Sequence, residues 1–527
     1  MAGRLRPDHP GPQAASSDLS AHRCGASRCG AVELMTTLGS DDILAHAIAS
    51  WLPQARWFPG KSQSVPVVKI LDRIPLPLAR SCELVVVETL PADGADAMPT
   101  RFFLPICQSP AGPVDAAAMP EVARWLVETA LVGRHVRGRG SSLVGIPVSA
   151  SSASPREASW RPAAHVAALA ADSSNTLLTV RPEPAGGRSG LVLKLLRQVR
   201  PGIQPEVEIG RFLASDSQWR HTPQLRAALE WQQPTAEPAI VAVVHDEIPH
   251  AASLWPLLLA DLATVNRELS DAASHDPLRQ RLMPTLVALG HVTARMHRAL
   301  AAERGDPAFG SESWSAAASE SAAAAMTAHA TQVLDALAAS PPALAGASAA
   351  MLQEVLGRRE HRLSRLAAFA DGRWQSQRIR VHGDYHLGQV LFDRRAEDGP
   401  LEDRLMVIDF EGEPQRPLAE RRCKQSAAKD VAGMLRSLDY LVRVAEREGS
   451  QRLPADTCKR LTGWFLGSYT ATAQGSRFWP SDPVEAHRLL ELYCLDKAIY
   501  ELAYEAGNRP DWIDVPLAAL LELADDR

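Results

Sequence analysis

The spacing of apolar positions changes from helical to strand-like in the N-terminal part of the chain. A helix over 41–52 is predicted by apolar residues at helical spacing, namely Ile43, Leu44, Ala47, Ile48 and Leu52. After an aromatic turn rich in Pro and Gly at 51–61, apolar runs predict strands at 65–78, 82–90 and 101–105. Together these elements predict a small α+β cap domain over residues 35–115.

A second set of apolar runs predicts a further β-rich unit over 116–250. Strands are predicted at 175–180, 190–196 and 239–245, with a helix at 205–214 between the second and the third. Residues 141–161 are rich in Ser, Ala and Pro, and this composition predicts a loop or linker.

The remaining residues, 251–527, have the periodicity of a helical lobe. Residues 255–370 are almost wholly helical in pattern, and the Ala-rich stretch 316–350 predicts packed helices because Ala is the best helix former. A short β segment at 378–384, 390–392 and 405–410 precedes the final helices, which run through 523.

Composition narrows the class of protein. The chain has 527 residues, of which 46% are hydrophobic and 22% charged, as is typical of a globular enzyme with more than one packed unit. A net charge of -5 disfavours nucleic acid as a partner, and no apolar run is long enough to span a membrane. Seven cysteines without metal-binding spacing predict a reduced, cytoplasmic protein. Residues 1–34 lack an apolar signal core and predict a disordered extension, with Met35 as a candidate true start.

The strongest chemical signal is the segment 381–389, Val-His-Gly-Asp-Tyr-His-Leu-Gly-Gln. An apolar run ends here, and a tight loop presents Asp384, His386 and Gln389. Asp384 and Gln389 are five residues apart, like the Asp and Asn of the protein-kinase catalytic loop. We therefore expect Asp384 to be the catalytic base and Gln389 a metal ligand. The alternative is a polar loop in which Asp384 only caps a turn.

A second acidic motif follows the apolar run 405–408. Asp409, followed by Phe410 and Gly412, has the placement of the kinase aspartate that binds magnesium on the phosphates. Downstream of the first motif and at the end of a strand-like run, Asp409 is therefore a predicted metal ligand.

The third signal is Lys194, within the apolar strand 191–196. A buried ammonium is costly without a partner, and in kinases this lysine pairs with the phosphates and with a glutamate on the next helix. Glu206 and Glu208 begin that helix, and we expect Glu208 to form the ion pair. The alternative is a lysine that extends from an edge strand to solvent.

A polar turn precedes Lys194, where a phosphate-covering loop is expected. The hydroxyl and backbone N–H groups of Ser174, Asn175 and Thr176 can hold phosphate oxygens, although an ordinary polar turn is the alternative. Taken together, the motifs predict an α+β, two-lobed protein-kinase-like fold. Its β-rich N-lobe carries the lysine, its helical C-lobe carries the catalytic motifs, and the cap domain precedes both.

These motifs resemble those of maltokinases, within the aminoglycoside-phosphotransferase-like class. The resemblance extends over most of the chain from Met35 onward, through the segments 51–61, 174–176, 201–208, 382–389, 409–422, 429–440 and 496–510. It implies ATP and Mg2+ as cofactors, maltose as the substrate and maltose 1-phosphate as the product. It also implies a place in α-glucan synthesis from trehalose, with trehalose synthase as a partner.

The resemblance also implies roles for individual residues. Asp384 corresponds to the base, Gln389 and Asp409 to the magnesium ligands, and Lys194 to the lysine that pairs with the phosphates. The family's sugar-binding side is assigned to His386, Glu411, Tyr504, Glu505, Asn508 and Arg509. The alternative for 504–509 is an ordinary helix end at Gly507.

Two other functions remain open from the residues. A glucosamine kinase, or another small-molecule kinase of this fold, shares the same catalytic motifs and differs in its substrate. A non-catalytic kinase-like partner of trehalose synthase belongs to a different class of protein. Loss of Lys194, Asp384 or Asp409 would favour that class, but all three are present.

Overall fold

The computed structural model describes residues 40–59, 67–90, 99–110, 112–148, 164–169, 174–182, 190–268, 276–394, 399–449 and 453–525. The predicted extension over 1–34 lies outside these ranges, as do residues 60–61 of the aromatic turn and residues 149–161 of the predicted linker.

The cap consists of one helix packed on a four-stranded antiparallel sheet. Helix α1 is Asp41–Trp51, and the strands follow in the order β1 (Val67–Pro75), β2 (Cys82–Leu90), β3 (Thr100–Ser109) and β4 (Gly112–Asp115). Because side chains alternate along a strand, Val85 and Val87 of β2 face α1, while Leu84 and Val86 face the next domain. The predicted α+β cap is confirmed.

One cysteine pair differs from the prediction of reduced cysteines. Cys82 of β2 and Cys107 of β3 are directly opposite in the strand register, and a disulfide joins them. The strand register decides which residues become cross-strand neighbours. The spacing of the cysteines in the sequence does not specify this register, so the pair could not be predicted.

The N-lobe is built on a seven-stranded antiparallel sheet. After helix α2 (Pro120–Val132), its strands occur in the spatial order β5-β6-β10-β11-β9-β8-β7. Their bounds, with the intervening helix α3 (Pro205–Ala214), are β5 His135–Arg137, β6 Ser142–Pro147, β7 Ala164–Ala168, β8 Thr176–Pro182, β9 Leu191–Leu195, β10 Leu225–Gln232 and β11 Ala239–Asp246.

Two features of this lobe correct the sequence analysis. Residues 142–147, predicted as part of a linker, form strand β6 because Leu143 and Gly145 alternate into the buried face. Gly145 allows a close approach to α2, since an added Cβ would lie 2.0 Å from the backbone oxygen of Thr129. Helix α2 and strand β10 were not predicted at all.

The C-lobe is helical, as predicted, around a small sheet of β12 (Ala251–Ser253), β13 (Val390–Asp393) and β14 (Leu405–Val407). Its helices are α4 Leu254–Glu268, α5 Pro277–Leu300, α6 Ala316–Ala339, α7 Gly346–Gly357, α8 Arg359–Ala367, α9 Leu418–Arg421, α10 Ala428–Glu448, α11 Thr457–Ala473, α12 Pro483–Asn508 and α13 Asp514–Asp525. The Ala-rich stretch forms α6 and α7. None of the helices in the described part of the chain combines the length and the apolar character that a membrane crossing requires.

One predicted strand in this lobe is wrong. Residues 378–384 form only isolated bridges, from Arg378 to Glu312 and from Ile379 to Gln425, before the backbone turns into the loop that carries Asp384. Ile379 and Val381 are buried and alternate with two arginines, and this alternation produced the strand-like pattern.

The packing of α5 against α11 gives a test of the C-lobe core. Gly290 lies where the helices meet, and an added Cβ would lie 2.5 Å from the backbone oxygen of Phe465. We expect Gly290→Ala to lower the free energy of unfolding by about 1–3 kcal/mol, although Ala is the better helix former. Gly467 of α11 is the control, because an added Cβ there meets nothing within 4 Å.

Urea denaturation of both variants measures the difference. Gly467→Ala should raise the free energy of unfolding by up to about 1 kcal/mol. If Gly290→Ala were equally stabilising, the two helices would not pack as closely as described.

Candidate active site

A cleft of about 1970 Å³ lies between the N-lobe sheet and the C-lobe helices, and residues 56–59 of the cap also line it. It brings together all the predicted site residues except Glu208 and Thr176. The predicted residues that line it are Ser174, Asn175, Lys194, Asp384, His386, Gln389, Asp409, Glu411, Tyr504, Glu505, Asn508 and Arg509.

The loop that carries Asp384 is held by a buried carboxylate from α10. Asp430 accepts hydrogen bonds from the backbone N–H groups of His382 (2.7 Å) and Gly383 (2.8 Å), and its Oδ2 lies 3.0 Å from Nε2 of His297. Burial raises the pKa of the Asp430 carboxyl, but the bond to His297 and nearby positive charge outweigh this and lower it. An ionised Asp430 therefore fixes the backbone immediately before Asp384.

Asp384 itself faces a lysine that the sequence analysis did not assign. Its Oδ1 accepts a hydrogen bond from Nζ of Lys497, on α12, at 2.9 Å. In the same loop, the ring nitrogen Nδ1 of His386 accepts from the N–H of Gly388 at 3.1 Å. His386 thus stabilises the turn that follows Asp384 and also lines the cleft.

Asp409 lies next to Gln389, as the motifs predicted. Nε2 of Gln389 donates to Oδ2 of Asp409 at 3.1 Å. Asp409 has a φ of 68°, a left-handed backbone conformation that is uncommon for residues other than Gly. Residues with such backbone strain are often found at functional sites, and Asp409 lies two residues beyond the end of β14.

Lys194 is the centre of a buried ionic cluster. Its Nζ lies 2.8 Å from Glu206 and 3.1 Å from Glu411, and it also donates to Asp409. Burial raises the pKa of the Asp409 carboxyl, but the Lys194 ammonium outweighs this and lowers the pKa to about 2. Burial is the main reason that the pKa of Glu411 is raised to about 7.

The predicted partner of Lys194 was wrong. Glu206, not Glu208, forms the ion pair, because two residues along a helix differ by about 200° in direction. Glu208 therefore points away from the lysine and accepts hydrogen bonds from Arg380 at 2.7 Å and Arg422 at 2.6 Å. Sequence alone could not separate the two glutamates, because both lie in the first turn of α3.

The residues of the polar turn at 174–176 have different surroundings: Ser174 and Asn175 line the cleft, whereas Thr176 does not. Nδ2 of Asn175 donates to Glu411 at 2.9 Å, and its backbone oxygen accepts from Arg56 of the cap at 3.1 Å. The hydroxyl of Thr176 instead accepts from Arg197 at 2.8 Å, and Thr176 does not line the cleft.

The last turn of α12 contributes polar and aromatic groups to the lining of the cleft. Glu505 is buried and accepts from Tyr440 at 2.5 Å and from Arg509 at 2.6 Å. The guanidinium of Arg509 lies over the ring of Tyr504, 5.4 Å from its centroid. Asn508 donates to the backbone oxygen of Tyr504 at 2.9 Å, a bond that stabilises the helix end.

The donor set next to Lys194 suits a hard divalent cation. Carboxylate oxygens of Glu206, Asp409 and Glu411 lie within 4.8 Å of one another, and Gln389 adds an amide. Oxygen ligands of this kind are those that Mg2+ prefers.

Comparison with known proteins agrees with this architecture. Residues 51–139 match the family of maltokinase N-terminal cap domains. The chain is 31% identical over 296 residues to a glucosamine kinase of Streptacidiphilus jiangxiensis, covering 55% of this chain and 59% of that protein, which is less than two thirds of its length. It is 29% identical over 314 residues to a glucosamine kinase of Mycolicibacterium smegmatis, covering 58% of this chain and 69% of the relative.

Solved structures show the same fold. A glucosamine kinase in complex with glucosamine, ADP and inorganic phosphate aligns with a TM-score of 0.58 at 23% identity, covering 91% of this chain and 98% of that one. A second glucosamine kinase structure, crystal form A, aligns with a TM-score of 0.58 at 22% identity and covers 92% and 99%.

The ionic cluster leads to a stability prediction. Lys194→Met removes the ammonium and leaves buried carboxylates without their cation, so we expect the free energy of unfolding to fall by about 3–5 kcal/mol. Lys424→Met is the control, because Lys424 pairs with Glu312, whose side chain is 48% exposed. We expect this second loss to be about 1 kcal/mol or less.

Urea denaturation of the two variants checks the difference. Equal losses would mean that Lys194 is not the central counter-ion of the cluster.

With the cap match, the related sequences and the shared architecture in view, the chain has a capped, two-lobed kinase-like fold, and the resemblance to maltokinases is supported.

Proposed function

We propose that this chain is an ATP-dependent sugar kinase that phosphorylates maltose at its anomeric hydroxyl to give maltose 1-phosphate. The observation that carries the proposal is one cleft lined both by Asp384 and by the Lys194–Asp409–Gln389 group. Phosphoryl transfer requires these two functions, a base for the acceptor and positive charge for the phosphates.

In this proposal ATP and Mg2+ bind between the two lobes. Lys194 and the turn at Ser174 and Asn175 would contact the phosphates of ATP, and Asp409 with Gln389 would hold Mg2+. The bound Mg2+ would neutralise charge on the phosphate oxygens. The relative crystallised with ADP supports a nucleotide in a fold of this kind.

Asp384 would act on the sugar by direct in-line transfer. It would accept the proton of the anomeric hydroxyl as that oxygen bonds to the γ-phosphorus. The bond from phosphorus to the bridging oxygen breaks at the same time, and ADP leaves with the electron pair. Positioning and charge neutralisation would supply most of the rate enhancement.

Two observations support a neutral disaccharide. The cap family is that of maltokinases. In addition, largely buried carboxylates at the acceptor end each have a cationic partner: Asp384 with Lys497, Glu501 with Arg436, and Glu505 with Arg509. The negative charge of each of these carboxylates is thus already compensated, which favours an uncharged acceptor. Maltose 1-phosphate formation in the cytoplasm, as a step of α-glucan synthesis with trehalose synthase as partner, completes the proposal.

The second candidate is a glucosamine kinase, which the names of the related proteins favour. A coupled assay of ADP release with Mg-ATP separates the candidates, with maltose, glucosamine, glucose and an aminoglycoside as acceptors. We expect turnover on maltose and an acid-labile product without a reducing end. Turnover on glucosamine alone would leave the fold unchanged and overturn the maltose assignment.

The role of the base gives a further prediction. Asp384→Asn should lower kcat by roughly 10²–10⁴-fold, because the amide cannot accept the proton, while the Kd of ATP stays within about threefold. Asp371→Asn, in an exposed turn, is the matched control and should keep wild-type kcat. Steady-state kinetics and calorimetric ATP binding measure both, and near-normal turnover by Asp384→Asn would exclude it as the base.

A further inference from the structure

Lys497 is a largely buried cation that lines the cleft. It lies on α12, its side chain is 15% exposed, and its Nζ is 2.9 Å from Oδ1 of Asp384 and 3.4 Å from Oε1 of Glu413. The ring of Tyr500 covers it, with the centroid 4.4 Å from Nζ. Burial lowers the pKa of the Lys497 ammonium, but the two carboxylates outweigh this and raise it, so the group stays charged.

Neutralising Glu413 does not account for this lysine. Oε2 of Glu413 already has two cations, Arg416 at 2.5 Å and Lys429 at 3.6 Å. Nζ of Lys497 lies 3.4 Å from the other oxygen, Oε1 of Glu413, which is longer than its 2.9 Å distance to Oδ1 of Asp384. Among the described contacts of Asp384, by contrast, Lys497 is its cation. The shortest contact of Lys497 is therefore with the proposed base.

We propose that Lys497 is a positioning residue for phosphoryl transfer, one that holds the carboxylate of Asp384 through Oδ1 and leaves Oδ2 for the acceptor hydroxyl. The inference rests on the proposed function and adds to it Lys497, a residue to which the sequence analysis gave no role. Oδ1 of Asp384 is then held by Lys497, and Oδ2 is the oxygen that accepts the proton.

In this proposal the ammonium of Lys497 also changes its hydrogen-bond partner during the transfer. The acceptor proton moves to Asp384, the acceptor oxygen bonds to the γ-phosphorus, and the bridging bond breaks so that ADP keeps the electron pair. Asp384 is then neutral and holds the ammonium less strongly. Lys497 can donate instead to the oxygens of the transferred phosphoryl group, so its positive charge follows the negative charge across the step.

The test compares three variants under one assay. Lys497→Met should lower kcat by about 100-fold or more, while the sugar KM and the Kd of ATP change by less than about threefold. Lys497→Arg should recover at least about tenfold of the loss, because it restores a cation. Lys429→Met is the matched control, since Lys429 contacts the same glutamate but not Asp384. Its kcat should stay within about fivefold of the wild type.

A second measurement distinguishes the loss of the Lys497 charge from a defect in folding. Lys497→Cys, treated with bromoethylamine, regains an ammonium at nearly the original distance, and kcat should rise by at least tenfold over the untreated variant. The wild-type chain is treated in parallel, because Cys423 is a free and exposed thiol.

Each outcome has a defined meaning. Equal effects of Lys497→Met and Lys429→Met, or no recovery after aminoethylation of folded protein, would overturn the positioning role. A Lys497→Met variant with wild-type kcat would overturn that role and leave the kinase assignment intact. A wild-type chain that turns over no sugar at all would overturn the proposed function and the inference with it.

Discussion

The ion cluster around Lys194 is the interaction on which the rest of the cleft depends. Lys194 and Glu206 belong to the N-lobe, on β9 and α3, whereas Asp409 and Glu411 follow β14 of the C-lobe. One buried ammonium therefore joins both lobes. Its cost in desolvation is large, and only several carboxylates at short distance offset it. The cluster sets the separation of the lobes and orients Asp409, which in turn bonds to Gln389.

A second buried group, the carboxylate of Asp430, holds the loop that carries Asp384. Because the ionised carboxylate of Asp430 can only accept hydrogen bonds, His297 donates to it through Nε2, and Nδ1 of His297 forms a hydrogen bond with the hydroxyl of Tyr469 at 2.8 Å. This series of hydrogen bonds connects α5, α10 and α11 to the backbone of His382 and Gly383. The loop is thus positioned from behind by the helical core.

Local patterns predicted the parts of this molecule whose determinants are close in sequence. Asp409 directly follows the apolar run 405–408, and Asp384 and Gln389 have the spacing of the kinase catalytic loop, so the fold class and the grouping of these residues in one cleft could be predicted. Lys497 and Asp430 meet the same loop from distant helices, and nothing in their local sequence marks that contact. Glu208 was predicted in place of Glu206 because the choice between two residues of one helical turn depends on how the helix is rotated about its axis. The pairing of Cys82 with Cys107 likewise depends on strand register.

The two faces of strand β2 have a consequence for how this protein can be divided. Leu84 and Val86 share a continuous core with α2 and with Leu193 of the lysine-bearing strand, while Val85 and Val87 pack under α1. A cut near residue 115 would therefore pass through a hydrophobic interior and expose both halves to water. The cap cannot behave as a detachable module: it must fold together with the N-lobe, and an exchange of caps between related chains would have to carry the facing side of the seven-stranded sheet with it.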